Sequence, residues 1–475
     1  MPIEITINNS LNPNARYITY APSPCQIRQT PSSSALTVKL TSKAAKTGGG
    51  VAVFYANRVV GVQPTATLTV TLPANGTSVD FGLAGKQGKP SVDDLDCLLI
   101  ATGVGASLTI PLMVRVRKNA NKLKARERDR FLLALAKLNS GTPMPSTYQT
   151  LRNMHVDAAD PEEHAGPHFL PWHRTYLLDL ERGLQAIDPS VSMHYWRFDQ
   201  KAPKVFNKLF MGETKRLPTT ADFVLLDPGN PLVGWVTDSN PGILRASLFN
   251  TKTEAAPGLQ GFELLNQAQT LALGANYPAF RAMESTPHGA AHVSFNGWIS
   301  DIPTAPKDPL FFMLHSNVDR LWALWQWMNQ RTSPDDPNAY TGQNRDGRRV
   351  NDTMWPWNGV TTLPRPNFAP GSGLPGSPLT PTPGVKPTIR SMIDYHGSRV
   401  ALPLDWLGFS YDDVPFVFNP YGPRETYEHQ RVSKENRAEY CESSGDTFEG
   451  HRFANRRRAS PRHDRQQESC GEDTC

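Results

Sequence analysis

The segment His164-Ala-Gly-Pro-His-Phe-Leu-Pro-Trp-His173 sets two histidines nine residues apart on either side of Phe-Leu-Pro-Trp. An amphipathic run, Arg174-Thr-Tyr-Leu-Leu-Asp-Leu-Glu181, follows at once. Pro171 suits the first turn of a helix, where its missing N–H would find no intrahelical partner anyway. The pattern therefore predicts His173 inside a helix and His164 in the loop that enters it. Imidazoles held this way, one on a rigid element and one on a loop folding back, can meet at a single metal. Two histidines alone prove little, so the rest of the chain has to supply more ligands.

It does. Of twelve histidines none precedes His155, and eight fall between His155 and His315. In Glu284-Ser-Thr-Pro-His288-Gly-Ala-Ala-His292 the histidines are spaced i, i+4, which stacks them on one helical face. Zinc proteases use the same spacing, but their general-base glutamate follows the first histidine, where Gly289 stands here. That class is disfavoured. A third run, Asp308-Pro-Leu-Phe-Phe-Met-Leu-His315, opens a helix predicted from Pro309 to about Met328. His315 falls on its core-facing side with Phe311, Phe312, Leu314 and Trp322. Asp319, one turn further on, is expected to pair with an arginine of the Arg126–Arg130 stretch. All-imidazole ligation without cysteine suits copper, zinc or nickel and leaves the choice among them open. The absence of bridging carboxylates speaks against a dinuclear hydrolase.

The 475 residues suffice for two or three domains. With 39% hydrophobic and 20% charged residues, the chain reads as soluble and globular. A net charge of +5 over this length is too weak to imply nucleic acid or a membrane surface. No apolar run approaches the ~20 residues of a spanning helix. Met1-Pro-Ile-Glu-Ile-Thr-Ile has neither a basic n-region nor an apolar h-region, so the expected location is cytoplasmic. Cys25, Cys97, Cys441, Cys470 and Cys475 are read as free thiols.

Residues 1–117 read as β. Runs at Ile3–Ile7, Leu36–Leu40, Val51–Tyr55, Ala66–Leu72, Cys97–Ala101 and Ser107–Val116 are separated by Gly, Pro, Asn and Ser. They predict a small all-β, antiparallel, sandwich-like domain with a structural or assembly role, the place where a homo-oligomer would be set. A basic linker, Arg115–Lys124, leads to a predicted helix at Ala125–Asn139 and mostly helical periodicity to about residue 330. Residues 363–387, rich in Pro and Gly, read as a surface excursion. Leu407–Phe416 is expected to close the domain as a strand or turn. The chain is thus a multi-domain α+β protein, divided at 1–117, 118–418 and a charged tail, 419–475. Tyr427, Tyr440, Phe448 and Phe453 of that tail are candidates for a lid over the site.

These residues resemble the type 3 copper proteins, namely tyrosinases (bacterial ones included), other polyphenol oxidases and haemocyanins. His164-x8-His173 with Phe-Leu-Pro-Trp-His-Arg is similar to the second and third ligands of their first copper. His288-x3-His292 with Asp-Pro-Leu-Phe-Phe-x-Leu-His315-Ser-Asn-Val-Asp-Arg-Leu-Trp is similar to their second copper site. Met193-His-Tyr-Trp-Arg-Phe198 and Gly408-Phe-Ser-Tyr411 resemble further family landmarks. The likeness spans roughly residues 125–415 and leaves out the β region and the tail. It implies a mainly α-helical dicopper domain built on a four-helix bundle. Two copper ions would be held by His155, His164 and His173 and by His288, His292 and His315. His155, upstream of His164, completes the first set, while His168 and His194 are read as structural.

The resemblance further implies dioxygen and small phenols as partners. The expected reaction is o-hydroxylation of monophenols and oxidation of o-diphenols to o-quinones. Removing a phenolic proton, with a pKa of about 10, calls for an acceptor near the substrate. Glu284, four residues before His288, stands where the family places the glutamate that holds a water for this. Gly289 stands where an asparagine often assists, and Phe311 is expected to wall the pocket. Glu162 replaces the cysteine that fungal relatives crosslink to the second ligand, so no thioether is expected. The alternatives are a catechol oxidase without monophenol activity and a haemocyanin-like reversible oxygen carrier.

Overall fold

From Leu36 to Leu40 buried and exposed side chains alternate, as they must in a strand with one face on a core. Nine strands precede the first long helix. They are β1 (Ile3–Ile7), β2 (Tyr17–Ile18), β3 (Ser23–Gln29), β4 (Leu36–Ala44), β5 (Ala52–Ala56), β6 (Thr67–Leu72), β7 (Val79–Gly85), β8 (Cys97–Gly103) and β9 (Ala106–Val114). They form a four-stranded sheet ordered β1-β3-β7-β5 and a five-stranded sheet ordered β2-β9-β8-β4-β6. Ile5, Ile27, Phe54, Phe81 and Leu83 from the first sheet share one apolar core with Val38, Leu40, Leu99, Leu112 and Val114 from the second. The computed structural model describes residues 2–56, 63–141, 146–158, 163–237, 240–361, 373–375, 384–396 and 407–416. Glu162, most of the 363–387 excursion and the tail aromatics Tyr427, Tyr440, Phe448 and Phe453 lie outside them.

Two full strands depart from the expectation. β3 carries Pro24 and four polar residues, and β7 carries Asp80 and two glycines, so neither reads as an apolar alternation. Both are interior strands whose backbone groups are paired on each side, and that pairing outweighs their weak propensity. Nor is the packing purely antiparallel, because Tyr17 and Ile18 pair in parallel with Met113 and Val114.

The helices are α1 (Ala125–Ser140), α2 (Thr147–Ala158), α3 (Phe169–Ile187), α4 (Gln267–Leu271), α5 (Tyr277–Phe280), α6 (Ala290–His292), α7 (Leu310–Asn329) and α8 (Ile389–Ile393). Every residue of α7 from Leu310 to Trp327 is buried, which makes it the central element of this half of the molecule. Asp308 starts it by accepting the Leu310 N–H at 2.9 Å while pairing with buried Arg245 at 2.8 Å. Negative charge suits the amino end of a helix. The Tyr176 hydroxyl of α3 donates to Leu151 O at 2.6 Å and pins α2 alongside. Among the described residues no helix is long and apolar enough to cross a membrane.

Asp319 does not pair with the Arg126–Arg130 stretch. Its carboxylate takes Arg174 Nε at 2.6 Å, Arg117 Nη1 at 3.1 Å and the Tyr411 hydroxyl at 2.6 Å, all buried. Arg117 also grips Glu181 at 2.7 Å, and Arg174 lies over the Trp322 ring at 3.7 Å. Arg126 and Arg130 face Asp93, Asp94 and Asp188 instead. The reason is geometric: Asp319 points into the seam between α3 and α7, whereas those arginines sit on the outer side of α1. Arg117, just past β9, carries the β region into the same network through its backbone. Its N–H donates to Ser410 O at 2.7 Å, and its carbonyl accepts the Asp412 N–H at 2.9 Å.

Asp319→Asn leaves two buried guanidiniums short of charge and should destabilise the chain by about 3–5 kcal/mol. Guanidinium unfolding of the purified protein checks this. A loss no larger than the roughly 0.5 kcal/mol of a surface substitution would overturn the role given to this carboxylate.

Candidate metal centre

Two groups of three histidines gather their ring nitrogens: His155, His164 and His173, and His288, His292 and His315. Within each group the ligand atoms all lie within 4.8 Å of one another. His155 comes from α2, His173 from the first turns of α3, and His315 from the second turn of α7. His164 enters from the preceding loop, as the position of Pro171 led one to expect. That loop folds back through Ala165 at φ +56° and through Gly166. A Cβ on Gly166 would lie 2.4 Å from the His168 ring, so only glycine fits. His288 follows a kink at Thr286, whose φ of −137° and ψ of 126° are extended, and His292 ends α6. The two groups face each other. His173 and His315 stack with ring centroids 4.3 Å apart, and His164 and His288 lie at 6.2 Å.

The orientation of the rings is fixed from behind. His173 Nδ1 meets Phe169 O at 2.9 Å, His288 Nδ1 meets Glu284 O at 2.7 Å, and His292 Nδ1 meets Ile299 O at 2.6 Å. A carbonyl oxygen only accepts, so each Nδ1 carries the proton and each Nε2 presents a lone pair. Buried Glu163 lies behind two further rings on the other side. Its Oε1 lies 3.3 Å from His155 Nδ1 and 3.4 Å from His164 Nδ1. Glu163 and the three carbonyls escaped the sequence reading. An acidic residue directly before a ligand histidine was the one visible signal.

Burial holds His155, His173, His288 and His315 well below the usual histidine range, and brings His292 down to about 4. The imidazoles are therefore neutral and able to ligate. The Nε2 atoms of His288 and His292 each stand 3.2 Å from His315 Nε2. One proton on His315 cannot satisfy two lone pairs aimed at it. A cation among the three nitrogens can. Likewise His155 Nε2 and His173 Nε2 are buried without a hydrogen-bond partner among the described residues. The donor set fits a pair of metal ions with three imidazoles each.

His155, His164, His288 and His292 form the inner wall of a cavity of about 730 Å³. Phe311 lines it too, its ring centroid 4.1 Å from His315 and 4.8 Å from His155. Phe169, not singled out from the sequence, packs 4.7 Å from His173 and 4.9 Å from His288. Gly289 lines the cavity beneath Phe262, and a Cβ there would come 3.2 Å from Phe262 Cζ. Glu284 reaches the cavity with both carboxylate oxygens engaged. Oε1 accepts the Ala165 N–H at 2.6 Å, and Oε2 accepts Arg281 Nη1 at 3.0 Å. Desolvation raises its pKa, against the opposing pull of those donors. His168 and His194 belong to neither group. His194 Nδ1 accepts the Lys118 N–H at 3.3 Å, and burial lowers its pKa to about 3.

Comparison with known proteins agrees with this geometry. Residues 145–328 match the family model described as the common central domain of tyrosinase. The chain is 32% identical over 219 residues to the tyrosinase of Streptomyces glaucescens, covering 43% of this chain and 77% of that one. To the tyrosinase of Streptomyces antibioticus it is 29% identical over 261 residues, covering 49% of this chain and 89% of the other. Among solved structures, a functional unit of octopus hemocyanin matches with a TM-score of 0.42 and 19% identity, over 68% of this chain and 73% of that one. With six histidines in two facing triads, and with most of a Streptomyces tyrosinase matched at 32% identity, the chain belongs to the tyrosinase family.

Proposed function

We propose that this chain is a two-copper oxidase that uses dioxygen to hydroxylate monophenols at the ortho position and to oxidise o-diphenols to o-quinones. The observation that carries the reading is the pair of imidazole triads at the wall of a cavity whose rim is open to solvent. His155, His164 and His173 would hold one copper, and His288, His292 and His315 the other. The copper pair, when bound, supplies dioxygen binding and the electron transfer of phenol oxidation. The cavity volume lies within the range of small-molecule sites. Phe262, Val293, Ile299, Ala305 and Phe311 give it apolar walls for a flat ring. Access of an organic substrate favours an enzyme over an oxygen carrier. We read residues 118–418 as the oxidase unit and 1–117 as its β support.

Glu284 has two tasks. Its backbone oxygen fixes the tautomer of His288, and its carboxylate offers the phenol or a bound water a proton acceptor. An ionised carboxylate has about four lone-pair sites, so the two donors already present leave room for a third. Gly289 favours the narrower alternative, catechol oxidation alone, because it brings no polar side chain to help.

Metal content should reach two copper ions per chain after loading. At a hundredfold excess over the dissociation constant, each bound ion would stabilise the fold by about 2.7 kcal/mol. Elemental analysis and thermal unfolding measure both, and His315→Ala should retain about one ion. Failure to bind copper at all would remove the proposal. For Glu284→Gln, turnover of a monophenol should drop by about 10²-fold or more, and that of the matching catechol by much less. Equal losses on both would refute the acceptor role. Gly289→Asn should push the Phe262 ring into the cavity and raise KM for 4-methylcatechol severalfold, and adding Phe262→Ala should reverse the rise. An unchanged KM in the single variant would count against Phe262 as the limiting contact.

A further inference from the structure

The cavity carries three charged side chains: Arg281, Glu284 and Asp301. Arg281 and Glu284 neutralise each other at 3.0 Å, three residues apart. Asp301 is exposed at the rim beside Ile302, itself 47% exposed. Among the described residues its carboxylate meets the Thr304 hydroxyl at 3.3 Å, and no guanidinium or ammonium pairs with it. Its backbone is nonetheless fixed. The Asp301 carbonyl accepts the N–H groups of Thr304 at 3.0 Å and Ala305 at 2.8 Å, and the Thr304 hydroxyl donates to Trp298 O at 2.9 Å. Two residues earlier in the same loop, Ile299 O orients His292.

Resting on the proposed function, a ring that enters with its hydroxyls toward the histidines leaves its opposite substituent at the rim. There the unneutralised charge is Asp301. We propose that Asp301 sets substrate preference, favouring phenols with an ammonium-bearing side chain over those with a carboxylate. A single carboxylate at a partly solvated rim attracts one and repels the other modestly, and salt screens both effects.

The test uses the copper-loaded full chain and three catechols: neutral 4-methylcatechol, 4-(2-aminoethyl)catechol and 3-(3,4-dihydroxyphenyl)propionate. At low ionic strength kcat/KM, normalised to the neutral compound, should favour the amine over the carboxylate by about tenfold. The ratio should fall toward one in about 0.5 M salt, where the screening length is only a few ångströms. It should also collapse in Asp301→Asn and invert in Asp301→Lys. A preference for the carboxylate, which would mean that Arg281 reaches the substrate, overturns the proposal. So does a ratio that Asp301→Asn leaves unchanged.

Absence of any oxidation of 4-methylcatechol would instead count against the proposed function. In that event the inference is decided by binding. Titration calorimetry compares the unreactive 2-phenylethylamine and 3-phenylpropionate on the full chain and on Asp301→Asn. Equal affinities in the parent overturn it, and an amine preference lost in the variant sustains it.

Discussion

The carboxylate of Asp319 holds the site together. It sits one turn after His315 on α7, and its nearest partner, Arg174, directly follows His173 on α3. A 2.6 Å ion pair between those two residues fixes the relative height of two helices, and hence the 4.3 Å stacking of the two histidines. Arg117 and Tyr411 close on the same carboxylate from outside the helix pair. Two buried charges alone would make a poor bargain against desolvation. Here the Asp319 carboxylate accepts from three separate donors, and the lone pairs of a buried acid are thereby satisfied.

Around that frame the histidines are aimed by the backbone. Helical carbonyls and the Ile299 carbonyl fix Nδ1 as the protonated nitrogen, and Glu163 stands behind two more rings. The imidazoles of His173, His288 and His292 thus turn the lone pairs of Nε2 toward the space between the two groups. Preorganisation of this kind separates two demands on the same residues. The metals need neutral nitrogen donors, which burial supplies. The substrate needs an open apolar wall, which Phe262 and the loop from Val293 to Ala305 supply.

What was legible in the chain followed from spacing. His164, Pro171 and His173 foretold a loop and a helix, and the i, i+4 pair foretold a shared face. The long apolar run after Asp308 foretold a buried helix. What was not legible depended on contacts between distant segments. The partner of Asp319 could not be chosen from helical periodicity, because Arg117 and Arg174 reach it from elements 202 and 145 residues away. β3 and β7 are strands because neighbours on both sides use their backbone, not because their side chains alternate. Glu163 gained meaning only once His155 from another helix arrived beside it.

The order in which the chain is made bears on this arrangement. All six histidines lie between residues 155 and 315, yet Arg117 bonds the Tyr411 hydroxyl across 294 positions, and the Tyr20 N–H donates to Ser410 Oγ across 390. A ribosome therefore exposes all six histidines about a hundred residues before the segment that braces the helix pair against the β region. Contacts of such separation form late and slowly. Arg174 and Asp319 can pair as soon as α7 has been made, whereas Tyr411 and Ser410 add the last brace only with nearly the final described residues. The bracing of the two histidine groups against the β region is accordingly a property of the finished fold, not of the growing chain.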